Sequence, residues 1–327
     1  MTNFYVIASF VLLNFYFLIF FDKIKILHNI IDTPDDKRKF HKKPTPLAGG
    51  IILFANIILY AFLCFVNENL LINEIIFKDF FEFKLFIISC ISFFIIGLYD
   101  DKYNIKPFIK FTLLFVTTLL LLYFDPNLRI IEIKLSFLDK NINSLNYSII
   151  FTLFCIVVFI NSFNMFDGIN LQASTYSFFL IIILIIYMNT SIFFIISFKY
   201  LNFKNKTFLG DSGSLLISFI ISYIFIKLYN ENIINYSDDI FIYMLIPGID
   251  MIRLFFVRIL MNRSPFSDDR MHIHHLLLSK LTYSKSLIVI NLLILFPISL
   301  KYFVDGNVFI ILLTITCYSG IIIKIKN

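Results

Sequence analysis

The sequence predicts an all-α, polytopic membrane protein with about eleven transmembrane helices. Of its 327 residues, 59% are hydrophobic and only 15% charged. Mean hydropathy is +0.86, far above what a water-facing surface allows. Apolar runs approaching the roughly 20 residues that cross a bilayer recur along the whole chain. They leave no long polar stretch for a second domain, so residues 1–327 read as a single membrane domain.

In order, the spans are expected at 4–21, 47–66, 83–99, 107–124, 146–161, 171–187, 189–201, 213–228, 239–260, 284–303 and 306–323. The first lacks the cationic start and small-residue cleavage site of a removable signal peptide and reads as a retained helix. On this topology 21 of the 28 Lys and Arg residues fall on one side, which marks that side as cytoplasmic. The amino terminus then lies outside, and an odd span count leaves the carboxyl terminus in the cytoplasm. These flanking cations account for the pI of about 8.9 without a nucleic-acid surface. Cys64, Cys90, Cys155 and Cys317 all sit in apolar runs without CxxC spacing and read as packing residues.

The polar residues between spans carry the chemistry. The first loop runs from Asp32 through Arg38, His41 and Lys42 into a PxPxxGG turn at Pro44–Gly50. Its cations could grip lipid headgroups, but Arg38, His41 and Lys42 stand beside turns that fix their direction and suit a phosphate. The third span ends at Asp100-Asp101, and Lys110 stands one turn into the fourth. Adjacent carboxylates repel unless a proton or cation intervenes, which makes the trio a metal-and-phosphate arrangement.

The fifth span runs into Asn161, Asn164 and Asp167 at three-residue spacing, followed by Gly168 and Asn170. A helix C-cap explains Gly168 but not three polar residues at membrane depth; amides and a carboxylate there could read a base or ribose. The eighth span opens with Gly210-Asp211-Ser212-Gly213-Ser214, where backbone N–H groups could meet an anion. The ninth carries Pro247, Asp250, Arg253 and Arg258, which predicts a break near Pro247 and an Asp250–Arg253 pair. The last long loop, from Arg263 to His272, His274 and His275, holds three of the five histidines. No cysteine is near, so phosphate or sugar contacts suit them better than zinc.

Taken in order, PxPxxGG, Asp100-Asp101 with Lys110, NxxNxxDG, GDSGS and HIHH resemble the polyprenyl-phosphate N-acetylhexosamine-1-phosphate transferases, glycosyltransferase family 4, over roughly residues 30–280. The RSPFSDDRMHIHH loop resembles the undecaprenyl-phosphate GlcNAc-1-phosphate branch, which begins O-antigen, common-antigen or teichoic-acid synthesis. The resemblance implies transfer of a sugar 1-phosphate from a UDP-N-acetylhexosamine to undecaprenyl or another polyprenyl phosphate, with release of UMP. It also implies Mg2+, or Mn2+ in its place, and a bacterial inner-membrane protein with its site on the cytoplasmic side.

By motif, Asp211 matches the metal ligand and Asp100 the proposed base or nucleophile, with Asp101 supporting metal or substrate. Lys42, Asn164, Asp167 and Gly168 match positions around uridine and diphosphate, and Arg263, His272, His274 and His275 the sugar and pyrophosphate loop. Two departures stand out: Asn170 replaces an Asp frequent in the family, and one extra residue separates Asp32 from Arg38. Partners implied are the nucleotide sugar, the lipid phosphate, membrane lipids and, as a candidate, a second copy of the chain. The alternatives are the muramoyl-pentapeptide branch, a transporter, which would carry ionisable residues at midplane and a repeat, and an inactive scaffold.

Overall fold

Backbone N–H and C=O groups cannot be left bare in hydrocarbon, so long apolar runs close as helices. The computed structural model describes residues 2–34, 43–67, 76–188, 206–265 and 269–326. Its longer helices are α1 (Thr2–Phe20), α2 (Gly49–Val66), α3 (Phe80–Tyr103), α4 (Pro107–Phe124), α5 (Ser148–Phe166), α6 (Gln172–Met188), α7 (Gly210–Asn230), α8 (Ser237–Leu260), α10 (Tyr283–Leu300) and α11 (Asn307–Lys326). A short α9 (Ile273–Lys280) precedes α10. Among the described residues, nine helices are long and apolar enough to cross a membrane, and α6 is an apolar helix of 17 residues. Ten of the eleven expected spans coincide with these helices; 189–201 lies outside the described residues.

Local chemistry sets the helix ends that matter. Asp79 caps α3 by accepting the Glu82 N–H at 2.8 Å. At the other end Asn104 takes a left-handed conformation (φ 49°) and returns its N–H to the Asp100 carbonyl. Pro107 then starts α4 at a position where its missing N–H costs nothing.

α7 is the central element, buried along its whole apolar length. α2, α3, α5 and α6 surround it, α4 packs on α3 and α5, and α8, α10 and α11 form a second group beside α5. α3 runs antiparallel to α7 along an aromatic seam in which Phe93 stacks on Phe219 at 4.4 Å and Phe86 meets Tyr223 at 4.9 Å. At the far end of this pair the buried Lys227 ammonium lies 2.9 Å from Glu82 and 3.3 Å from Asp125, which follows α4. At the near end Gly97 lets the backbones touch, since a Cβ there would stand 2.4 Å from Ser212 Cα.

The expected break near Pro247 does not occur: α8 is continuous from Ser237 to Leu260. Proline cannot donate to the carbonyl four residues back, that of Tyr243. The Tyr176 hydroxyl of α6 donates to that carbonyl at 3.0 Å and replaces the lost bond. The charges in the second half of α8 are likewise absorbed. Arg253 bonds Asp250 and the Met271 carbonyl, and Arg258 bonds Asp269 and the Pro265 carbonyl, which folds the following segment back onto the helix.

Tyr176→Phe should bare the Tyr243 carbonyl and cost about 1–2 kcal/mol in thermal unfolding of the detergent-solubilised protein. In a Pro247→Ala background, which restores the N–H, the same substitution should cost less than half as much. Equal costs in both backgrounds would show that Tyr176 does not serve this carbonyl.

Candidate active site

The site forms where α3 and α5 end and α4 and α7 begin. The first N–H groups of a helix have no intrahelical partner, and α7 starts in the protein interior. Asp101 supplies the cap from α3: its carboxylate accepts the Asp211 N–H at 2.7 Å and the Ser212 N–H at 3.0 Å. Gly210, at φ +72°, makes the turn, and a Cβ there would lie 2.8 Å from Asp101 Oδ2. The backbone N–H groups expected to meet an anion are therefore occupied by Asp101, whose position is that of a cap for Asp211.

The PxPxxGG turn has a backbone role as well. Strands β1 (Ile31–Asp32) and β2 (Thr45–Pro46) pair antiparallel, and β2 continues onto the start of α7. The Phe208 N–H donates to the Pro46 carbonyl, and the Gly49 and Gly50 N–H groups donate to Phe208 and Leu209. Buried Thr207 joins this ladder, accepting the Ala48 N–H at 2.9 Å.

Lys110 is the hub. Its Nζ lies 2.7 Å from Asp100 Oδ2, 3.1 Å from Asp211 Oδ1 and 2.8 Å from Asn164 Oδ1. The Asn164 amide donates to Asp211 and, at 2.7 Å, to Ser214 Oγ. Asp100 Oδ1 accepts the Ile105 N–H at 2.9 Å, fixing the α3–α4 loop. One ammonium thus serves two carboxylates, with Asp101 and Asp167 close by.

A cavity of about 920 Å³ opens beside this cluster, its wall including Asp101, Asp167, Gly168, Asn170, Asp211 and Lys43. Burial, then the negative charges of Asp211 and Asp101, push the Asp167 carboxyl up to about 8. The loop after it is held in an uncommon conformation: Leu171 has φ +70°, while the Tyr283 hydroxyl donates to the Asn170 carbonyl at 2.5 Å.

The histidines pack as a group against this loop. His274 is buried, and a Cβ on Gly168 would lie 2.0 Å from its ring. His272 stacks on His274 at 5.3 Å, and His275 meets it at 4.2 Å. Burial and then the neighbouring imidazoles hold His274 well below the ordinary histidine range; burial, His272 and Arg270 bring His275 to about 4. Both are neutral at pH 7. His274 and His275 belong to the first turn of α9 rather than to a loop, and His274 is a packing partner of Gly168.

The structure brings together Asp100, Asp101, Lys110, Asn164 and Asp211, with Asp167, Gly168 and Asn170 on the adjoining wall. His272, His274 and His275, which pack together with His274 against Gly168, do not line the cavity, and two further expected residues lie apart. Asn161 turns its amide onto the Val157 carbonyl of its own helix at 2.8 Å. Arg263 is exposed and is not part of the cavity wall. Arg38, His41 and Lys42 lie outside the described residues. Sequence reasoning missed Lys43, Lys102, Asn104 and Tyr283, all of which line the cavity. Lys43 and Lys102 adjoin residues that the motifs do select; Tyr283 comes from a span edge with no local signal.

The model of glycosyl transferase family 4 matches residues 83–229. Over that stretch the chain is similar to glycosyl transferase family 4. It runs from α3 through α7 and so holds Asp100, Asp101, Lys110, Asn164, Asp167 and Asp211, while the histidines lie beyond it. The chain is 29% identical over 282 residues to the undecaprenyl-phosphate alpha-N-acetylglucosaminyl 1-phosphate transferase of Yersinia pestis, covering 80% of this chain and 73% of that protein. Transferases of the same name from Thermotoga maritima and Escherichia coli O157:H7 are 28% and 27% identical. The Thermotoga alignment covers 80% of this chain and 77% of the relative, and the Escherichia one 80% and 72%.

Gly168→Ala should drive a methyl group into the His274 ring and cost about 1–3 kcal/mol in unfolding. His274→Ala in the same background should recover at least half of that loss. No recovery would mean that the Gly168–His274 contact is not what the glycine serves.

Proposed function

We propose that this protein transfers an N-acetylhexosamine 1-phosphate, GlcNAc 1-phosphate in the first instance, from a UDP-sugar to polyprenyl phosphate and releases UMP. The observation that carries the reading is the Asp100–Lys110–Asp211 cluster beside a cavity of about 920 Å³, a size that suits a nucleotide-sized ligand. The family match and the names of the relatives support the same reaction class. The 21 Lys and Arg residues on the site's side of the expected topology support a cytoplasmic-facing site in a bacterial inner membrane.

Asp100, Asp101 and Asp211 around one ammonium leave excess negative charge in a partly dry site. Among the described residues no three metal-ligating side chains converge into a ready-made cluster. The pair Asp100 and Asp211 nevertheless offers hard oxygen donors of the kind that suit Mg2+ or Mn2+, and these two would hold the ion. Once bound, the ion supplies charge that offsets the repulsion between an anionic acceptor and an anionic donor.

The chain's own groups do the rest. Asp100 takes the proton from the lipid phosphate, whose oxygen bonds to the sugar-bearing phosphorus of the donor as the bond to UMP breaks. Lys110 holds Asp100 and Asp211 at a fixed separation and offsets charge on the phosphates. Asp101 keeps Asp211 in place through the start of α7, and Asp167 and Asn170 frame the uridine. The membrane edge limits competing hydrolysis by water.

Purified protein given UDP-GlcNAc, polyprenyl phosphate and Mg2+ should release UMP, and a chelator should stop it. Asp211→Asn and Asp100→Asn should each lower turnover by at least about 100-fold while the protein stays in the membrane fraction. Full activity in either variant would overturn the site assignment. UMP release only from UDP-MurNAc-pentapeptide would move the chain to the peptidoglycan branch.

A further inference from the structure

Asp250, in the second half of α8, is buried and saturated with donors from three parts of the chain. Its Oδ1 accepts from the Tyr318 hydroxyl of α11 at 2.5 Å, Arg253 Nη2 at 2.7 Å and the Ile273 N–H at 3.2 Å. Its Oδ2 lies 2.9 Å from His272 Nδ1. Arg253 reinforces the frame: its Nε donates to the Tyr318 hydroxyl at 2.8 Å, and its Nη2 also reaches the Met271 carbonyl. None of these residues lies within the family-matched stretch 83–229.

A carboxylate that collects this many donors is an acceptor, so His272 Nδ1 must carry the hydrogen. That leaves Nε2 as the one ring nitrogen available to a ligand. Rotation of the ring is checked on a second side by the stack with His274, which is itself wedged against Gly168 on the cavity wall. The carboxylate therefore selects both the tautomer and the direction of a histidine whose stacking neighbour packs against the cavity wall.

We propose that Asp250, held by Tyr318 and Arg253, is a positioning residue that fixes His272 so that Nε2 faces the phosphates of the sugar nucleotide. The ligand part of this inference rests on the reaction proposed above; the tautomer part does not. α11 accordingly contributes to the site through Tyr318.

Two measurements on the full-length purified protein test it. In spectra of protein labelled with 15N-histidine, assigned with a His272→Gln variant, His272 should show a protonated Nδ1, and Asp250→Asn should abolish that preference. A wild-type His272 protonated on Nε2 alone would overturn the proposal whatever reaction the protein catalyses. In UMP-release kinetics, His272→Ala and Asp250→Asn should each raise KM for the sugar nucleotide roughly tenfold or more and leave KM for polyprenyl phosphate unchanged.

The double variant should be no worse than His272→Ala alone, because Asp250 acts through His272. Tyr318→Phe, which keeps the ring, should shift the same constant in the same direction by less. Additive losses, or a parallel loss of lipid affinity and melting temperature in Tyr318→Phe, would make Asp250 a purely structural anchor and overturn the proposal. If the wild type releases no UMP, the reaction assignment fails, and the 15N result still decides the tautomer.

Discussion

The site depends on a carboxylate capping a helix that belongs to another part of the chain. A buried helix start leaves N–H groups that water cannot reach, and a negative charge there also meets the positive end of the helix dipole. Asp101 answers both needs for α7, and Asp211 is the first residue it holds. Because Asp100 precedes Asp101 on α3, the same contact sets the spacing of Asp100 and Asp211. Lys110 can bridge them only because that spacing is fixed.

The glycine-rich motifs acquire meaning from the same constraint. The turn at Pro44–Gly50 hydrogen-bonds through its backbone to Phe208 and Leu209, so the first loop and the start of α7 form one irregular strip. Irregular backbone at the edge of a membrane is tolerated when protein satisfies it, and this ladder does so. Gly97 and Gly168 serve by being small: one admits the α7 backbone, the other the His274 ring.

Much of this was legible in the sequence, for physical reasons that can be named. Apolar runs of bilayer length leave helix as the one available structure, and Asn104 and Pro107 punctuate the α3–α4 turn visibly. Asp100, Lys110, Asn164 and Asp211 stood out because polar residues gathered at span ends on one side are costly without a shared purpose. The division of labour between Asp100 and Asp101 was hidden, since it depends on which carboxylate meets a backbone 110 residues later. The continuity of α8 was hidden too: a hydroxyl from α6 stands in for the N–H that Pro247 lacks. Asn161 had the expected spacing, yet its amide found a nearer acceptor on its own helix. Asp250 and Arg253 paired as the three-residue spacing suggests, but Tyr318 joins them from a helix 65 residues beyond Arg253.

The Lys227 clasp has a consequence at a distance. Glu82 and Asp101 lie on one helix nineteen residues apart, about 28 Å, and each end of α3 engages α7 through a carboxylate. Two packed rods fastened at both ends cannot slide along one another. The α3–α7 pair therefore behaves as a strut, and any widening of the cavity falls to the rim, where Tyr283 meets Asn170 through one hydroxyl. Replacing Glu82, at the opposite end of α3 from the cavity, would loosen that strut.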